Sequence, residues 1–232
     1  KRMKHRFNNT IVIALGGSIL YPEEIDTKFI KQFASLIKQF VKKGKRFVIV
    51  TGGGRVSRLY QKAAGEISKI TNEDKDWIGI HATRLNAHLL RTVFRDIADP
   101  IVFDSRHKRK KLKYPVTIAS GWRPGWSTDF IAVALAVDYG VSEIVVAGKP
   151  SHVYDKDFVK HKDAKLFEAL SWKKYRTLVP QKWTPGFHSP VDPVGARLAE
   201  RSKIRAIVMD GRDLKNFTAL IQGKEFQGTI IS

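Results

Sequence analysis

Apolar positions along the chain follow two alternating rhythms. Short runs with high β propensity occur at Ile11–Leu15, Arg46–Val50, Pro115–Ala119, Glu143–Ala147 and Arg205–Met209, and each predicts a strand. Between them the spacing changes to that of a helix. Phe29, Ile30, Phe33, Leu36, Ile37, Phe40 and Val41 recur on one face of a segment from Asp26 to Lys43. Asp26 or Thr27 can cap its start, and Gly44 is placed to end it. The stretch Asp129–Gly140 is apolar almost all round, which predicts a buried helix. Two further helices are expected over Pro193–Arg201 and Asp213–Gln222. Buried strands alternating with helices predict an α/β fold, a three-layer α/β/α sandwich around a mainly parallel central sheet.

The composition narrows the class of partner. There are 42 Lys and Arg against 22 Asp and Glu, a formal charge of +20, so the partners are expected to be acidic: phosphates, nucleic acid or anionic surfaces. The basic residues are scattered, and no RRM, KH or helix-turn-helix signature is present, so nucleic acid is not an expected partner. The one charge block, Arg106–Lys113, reads as a basic loop. No apolar run reaches the length of about 20 residues that a membrane span needs. Residues 1–9 form a basic extension, and Gly16 and Gly17 interrupt the first strand before a signal-peptide stretch could form. The absence of cysteine excludes disulfides and thiolate metal sites and fits a cytoplasmic enzyme. No internal repeat divides the rest, so residues 10–232 are expected to form one domain.

Candidate chemistry sits in the turns that follow the strands. The first strand ends in Gly16, Gly17 and Ser18, and the second in Gly52, Gly53 and Gly54. Glycines between a parallel strand and a helix let backbone N–H groups point at a phosphate, and the helix N-terminus adds favourable potential. Neither turn is GxGxxG or GxxxxGK[ST], so neither a dinucleotide fingerprint nor a Walker A loop is present. One such turn alone can be a tight bend; two at the ends of strands that could be neighbours favour a phosphate site. Arg55 and Arg58 follow the triple glycine on one helical face, where cations are unfavourable unless an anion is bound. A third turn, Ser120–Asp129, contains Gly121, Trp122, Arg123, Pro124, Gly125, Trp126, Ser127 and Thr128. Its hydroxyls and Asp129 can serve as a helix cap, while its tryptophans could wall a nucleobase. His81, His88 and His152 show no metal-ligand spacing, and no metal-ligating residues are expected.

The segments ALGGSIL, VTGGGRVSRLY, DWIGIHATRLNAHLL (Asp76–Leu90), SGWRPGWSTDFIAVALA and VDPVGARLAERSKI occur in the order and at roughly the spacing of the amino-acid-kinase superfamily. They are most similar to its uridylate kinase branch, particularly the archaeal-type form, over about Ile11 to the C-terminal GTIIS. The resemblance implies a kinase of pyrimidine nucleotide biosynthesis that uses UMP and ATP with Mg²⁺. An acceptor half covers about residues 10–140 and an ATP half about 141–232. It further implies that Gly53, Gly54 and Arg58 hold the UMP phosphate, that Asp76 reads the ribose, and that the loop from Gly121 to Thr128 closes over the nucleotide. Gly16, Gly17 and Ser18 would face the transferred phosphoryl group, and Asp129 would organise the cationic groups there. Gly52, Lys149, Tyr154 and Asp157 would contact ATP, Lys149 with a catalytic role. A homo-oligomer built from dimers, with hexamers common in the family, is also implied.

Three positions depart from the family pattern. Ala14 stands where many members carry Lys. Ser151 and His152 replace Asp and Gly in the stretch that contacts ATP. The segment before the third strand is short and basic, and Thr184–His188 is unusually rich in proline and aromatics. These departures leave two alternatives open: a kinase fold that binds a nucleotide or oxyanion without turnover, and a kinase with another small phosphate or carboxylate acceptor.

Overall fold

In a computed structural model of the chain, which describes residues 3–108, 110–182 and 189–232, the five expected strands form the parallel core of a seven-stranded sheet. The first part of the chain comprises β1 (Met3–Lys4), β2 (Thr10–Leu15), α1 (Gly17–Leu20), α2 (Thr27–Lys42), β3 (Arg46–Thr51), α3 (Gly54–Ile67), α4 (Asn72–Val93) and β4 (Val116–Ala119). Then come α5 (Thr128–Asp138), β5 (Glu143–Gly148), β6 (Val153–Tyr154), β7 (Leu166–Phe167), β8 (Ala169–Leu170), α6 (Trp172–Leu178) and α7 (Pro193–Arg201). The chain finishes with β9 (Arg205–Asp210), α8 (Leu214–Ile221), β10 (Glu225–Phe226) and β11 (Thr229–Ile231). The strand order is β4-β3-β2-β5-β9-β11-β8, with β11 antiparallel to β9.

Alternate residues of each strand enter two separate cores. Ile11, Ile13, Leu15, Ile49 and Ile207 meet α2, α4 and α8 on one face, and Val12, Ala14, Val48, Ile144 and Val208 meet α5, α6 and α7 on the other. Both faces are covered, which is why the strands read as unbroken apolar runs. α5 is buried from Phe130 to Ala136, as its all-round apolarity predicts. Asp26 caps α2 by accepting the Phe29 N–H at 2.9 Å, and Gly44 follows that helix at φ +84, a conformation glycine adopts without strain.

Asp76 lies in the second turn of α4, which starts at Asn72 and is capped by Thr71 in a reciprocal box with Asp74. The basic segment is indeed irregular, but its charge is partly spent. Arg106 grips Asp138 with two hydrogen bonds of 3.0 and 2.6 Å, and Lys108 lies 3.0 Å from Asp104. At the N-terminal end, β1 pairs with β10, while His5 and Phe7 are buried, so residues 3–7 are fastened to the body. The Thr184–His188 stretch lies outside the described residues.

Candidate active site

The chain leaves β2, builds β3 and β4 on one side of it, then returns to place β5 and β9 on the other. This reversal between β2 and β5 opens a crevice at the carboxyl ends of the strands, where ligands bind in open α/β sheets. Gly16 and Gly148 stand at its two lips. The Gly16 N–H donates to the Ala147 carbonyl at 2.9 Å.

The two glycine turns touch through their backbones. A methyl group at Gly17 would meet the Gly54 nitrogen and, at 2.5 Å, the Gly52 carbonyl carbon. One at Gly52 would meet the Gly17 nitrogen at 2.5 Å. Gly54 also takes φ +65, so a side chain there is excluded twice over. These glycines are therefore required first by each other, before any ligand. The consequence is that the first turns of α1 and α3, with N–H groups that have no intrahelical acceptor, open side by side. Gly52 N–H is already used, donating to Leu15 O at 2.9 Å.

α4 fastens both this turn and the third one. Asn86 donates from Nδ2 to the carbonyls of Gly52 at 2.8 Å and Gly53 at 3.3 Å. Thr51 donates to Thr83 O at 3.0 Å, and the Thr83 hydroxyl accepts the Gly121 N–H at 2.7 Å. Asp76 accepts the Gly125 N–H at 2.8 Å. Burial raises the Asp76 pKa above the ordinary carboxylate range, Glu73 adds to this, and the Gly125 hydrogen bond opposes it. Thr83 and Asn86 belong to the Asp76–Leu90 segment that carries the family resemblance, but the sequence assigned them no role in the site. Their signal was polar side chains on the face of a helix that otherwise enters the core.

In the third turn the two tryptophans have different jobs. Trp122 is buried and donates its indole N–H to Phe103 O at 3.0 Å, so it anchors the loop rather than walling a base. Trp126 packs at 4.7 Å on Phe130, and the Arg123 guanidinium lies 4.2 Å over its ring. Ser127 caps α5 by accepting the Phe130 N–H at 3.0 Å, and its hydroxyl donates to Asp192. Asp192 in turn caps α7, accepting from Val194 at 2.7 Å and Gly195 at 3.0 Å. This carboxylate, missed as a candidate, joins the starts of two helices. Asp129 sits beside it in the first turn of α5, deep among protein atoms with only a partial opening to solvent. Its pKa is pushed well above the usual carboxylate range by burial first and by Asp192 second.

The remaining candidates are more dispersed. Arg55 and Arg58 do not act as a pair: Arg55 makes an ion pair with Glu23, while Arg58 is exposed on a groove between α3 and α4. Ser18 is half-buried in α1. Lys149 is exposed just past the end of β5, with no ion-pair partner among the described residues. At the departure from the family pattern, His152 Nδ1 lies 3.0 Å from the Ser151 hydroxyl, which lies 3.2 Å from the Tyr154 hydroxyl. Tyr154 stacks at 4.6 Å on Phe158, and Asp157 accepts the Val159 N–H at 2.9 Å. Gly16–Ser18, Gly52–Gly54, Asp76 and the 121–129 segment thus form one continuous rim. Lys149, Tyr154 and Asp157 stand beyond β5, and Arg58 looks outward.

Comparison with known proteins bears on the family and the fold. Residues 9–210 match the model of the amino acid kinase family. A uridylate kinase of Thermococcus sibiricus is 33% identical, over 95% of this chain and 98% of its own. One from Methanoregula boonei is 35% identical, over 93% of this chain and 92% of its own. The crystal structure of the uridylate kinase from Archaeoglobus fulgidus superposes with a TM-score of 0.81 at 30% identity, covering 99% of this chain and all of that one.

Proposed function

The chain belongs to the amino acid kinase family, and on that premise we propose that it transfers the γ-phosphoryl group of ATP to UMP, giving UDP and ADP. The observation that carries this reading is the backbone contact between the turns at Gly17 and at Gly52–Gly54. If one turn cradles the donor phosphate and the other the acceptor phosphate, their contact sets the two groups close enough for direct transfer. A UMP phosphate oxygen forms the new bond to the γ-phosphorus as the bond to the ADP oxygen breaks, and no covalent enzyme intermediate is needed.

The protein's contribution is positioning and charge stabilisation. The N–H groups at the start of α1, with Gly16, Gly17 and Ser18, face the γ-phosphoryl group. Those at Gly53 and Gly54 hold the UMP phosphate, with Arg58 swinging in from its outward-facing position to join them. Asp76 uses one carboxylate oxygen on Gly125 and has the other for the ribose. The loop from Gly121 to Thr128 closes over the acceptor, with Arg123 at the rim and Lys149 reaching in from the end of β5 as the cations that Asp129 orients. Gly52, Lys149, Tyr154 and Asp157 meet the nucleotide of ATP. Among the described residues no group of three or more His, Asp or Glu is arranged to hold a metal ion. Mg²⁺ would arrive with ATP and would supply charge neutralisation at its phosphates. In this reading residues 10–140 form the acceptor half and 141–232 the ATP half, on the two sides of the crevice.

The relatives do not favour a binder without turnover. A homo-oligomer is supported by α3: none of its residues is buried, yet Leu59, Tyr60 and Ile67 stand exposed on it. Among the described residues no helix is long and apolar enough to cross a membrane, and the proposed substrate pair supports a cytoplasmic enzyme. The test is a nucleoside-monophosphate panel with ATP and Mg²⁺, read as phosphorylated product. UDP formed well ahead of the other diphosphates is the expected result; ADP release without any diphosphate, or none at all, overturns the reading.

A further inference from the structure

At the end of the sheet remote from the crevice, the starts of the strands stand in one row. Arg46 lies opposite Thr10, Phe47 opposite Val116, Val12 opposite Ile144, and Glu143 opposite Arg205. From β4 to β9 the row crosses four strand spacings, about 19 Å. Strands of six residues keep it about 20 Å from the glycine turns.

Basic residues scattered along the sequence meet at this row. The turn between α2 and β3 brings Lys42, Lys43, Lys45 and Arg46, and the approach to β4 brings Lys110, Lys111 and Lys113. The turn between α7 and β9 adds Lys203 and Arg205. His5, 3.5 Å from Glu143, draws the pair β1 and β10 to the same end with Lys4, Arg6 and Lys224. Carboxylates in these segments are few and mostly occupied. Glu143 is buried and takes Arg205 at 3.2 Å, Glu200 takes Arg176 at 2.9 Å, and Glu225 is left exposed.

Helix electrostatics explain part of the cluster: Lys42 ends α2, and Lys203 and Lys224 follow α7 and α8, where cations are favoured. They do not explain Arg46, Lys111 or Lys113, which begin or approach strands. Lys45 donates to the carbonyls of Phe7 at 3.2 Å and Asn8 at 3.0 Å, and Arg46 donates to Leu112 O at 2.9 Å. Bonds to neutral carbonyls fix these side chains and leave their charge uncompensated. Lys43, Lys111 and Lys113 are exposed and have no ion-pair partner among the described residues.

We propose that this face binds the phosphate rows of duplex nucleic acid without reading sequence, a function separate from phosphoryl transfer. Its width spans a groove of about 12 Å together with the phosphates on either side. None of its segments exposes an aromatic or large apolar side chain among the described residues. It therefore lacks stacking platforms for a single strand, anchors for a membrane surface, and the apolar centre of a protein interface. The crevice stays open at the other end, and the proposal does not depend on the identity of the acceptor.

Fluorescence anisotropy with one short labelled duplex, made as RNA and as DNA, tests this at rising salt. Wild-type binding should weaken with salt at a log–log slope of about −3 or steeper, as expected when roughly three or more phosphates are neutralised. The variant Lys43→Gln/Lys111→Gln/Lys113→Gln should bind roughly tenfold or more weakly, with a slope flatter by about 2. The control Lys28→Gln/Lys31→Gln/Lys162→Gln loses the same charge from exposed positions off this face and should bind like the wild type. Equal weakening of RNA and DNA supports phosphate rows in general, and binding of RNA alone narrows the ligand to the A-form duplex. Equal weakening by the two variants would reduce the effect to net charge and overturn the proposal. So would a failure to bind either duplex at about 0.1 M salt, or binding to anionic vesicles in place of duplexes. Lysine-reactive footprinting of the wild type gives a second readout that needs no variant: bound duplex should protect Lys43, Lys111 and Lys113 but not Lys28 or Lys31, and the reverse pattern refutes the face.

Discussion

The carboxylate of Asp76 accepts the backbone N–H of Gly125 at 2.8 Å, joining positions 49 residues apart. It ties the second turn of α4 to the tip of the loop between β4 and α5. Gly125 holds φ +82 there, a conformation in which another residue would be strained. The loop is thus pinned at both ends, by Asp76 near its tip and by Thr83 at Gly121.

Asp76→Ala should therefore act on UMP more than on ATP. Loss of a hydrogen bond to a charged group costs about 1.5–3 kcal/mol, so the UMP KM should rise by roughly tenfold or more while the ATP KM changes little. Steady-state kinetics with each substrate varied in turn would check this. Equal effects on both would mean that Asp76 serves the fold alone.

Gly17→Ala probes the contact between the turns. The new methyl would collide with the backbone of Gly52 and Gly54, which are not flexible ends that can swing away. Overpacking of this kind costs about 1–3 kcal/mol. Separation of the phosphate cradles should lower kcat by about a hundredfold, as small misplacements do. Thermal melts and turnover on the same preparation would separate the two effects. Activity close to wild type would show that the turns need not touch.

Asp129 has its pKa raised by burial and by Asp192, so the folded state holds its proton more tightly than the unfolded chain. The sign follows: its contribution to stability is most favourable at low pH and declines as pH rises above the ordinary carboxylate value. Asp129→Asn mimics the protonated form. The variant should match the wild type in melting temperature in acid and exceed it at neutral and higher pH, while losing most of its activity. A pH series of melts on both proteins would check the divergence, and parallel curves would refute it.

The five strands of the parallel core and four of the helices were legible because burial on two faces leaves a pattern that does not depend on knowing the partner. Ile11–Leu15 and Phe130–Ala136 are apolar for local reasons alone. The meaning of Gly17 and Gly54 was not legible in the same way. A glycine demanded by a neighbouring backbone and one demanded by a ligand look identical in a sequence, and the two turns lie far apart along it. Arg55 and Arg58 read as a pair because helical spacing shows a shared face, whereas Glu23 arrives from another loop. The helix that carries Asp76 was not read from the sequence either, although Thr71 and Asp74 supply its capping signal five and two residues before Asp76.

Asp192 was hidden because an Asp-Pro pair at a helix start is sufficiently explained by capping. The structure gives the same carboxylate a second duty: Oδ1 accepts the N–H groups of Val194 and Gly195, while Oδ2 accepts the Ser127 hydroxyl. The helix beginning with Asp129 is thereby fixed against the helix beginning with Pro193. Asp192→Ala removes a cap worth about 1 kcal/mol and leaves the half-buried Ser127 hydroxyl without its acceptor, which costs about 1 kcal/mol more. Asp192→Asn keeps an acceptor for the cap and should recover most of the stability. The two losses can then be told apart. If Asp192 matters only as a cap, the Asn variant regains turnover together with its melting temperature. If its charge also helps place Asp129, the Asn variant melts near the wild type but stays slow; in either case the pH dependence of its stability flattens only in part, because burial still raises the Asp129 pKa while the neighbouring negative charge no longer does.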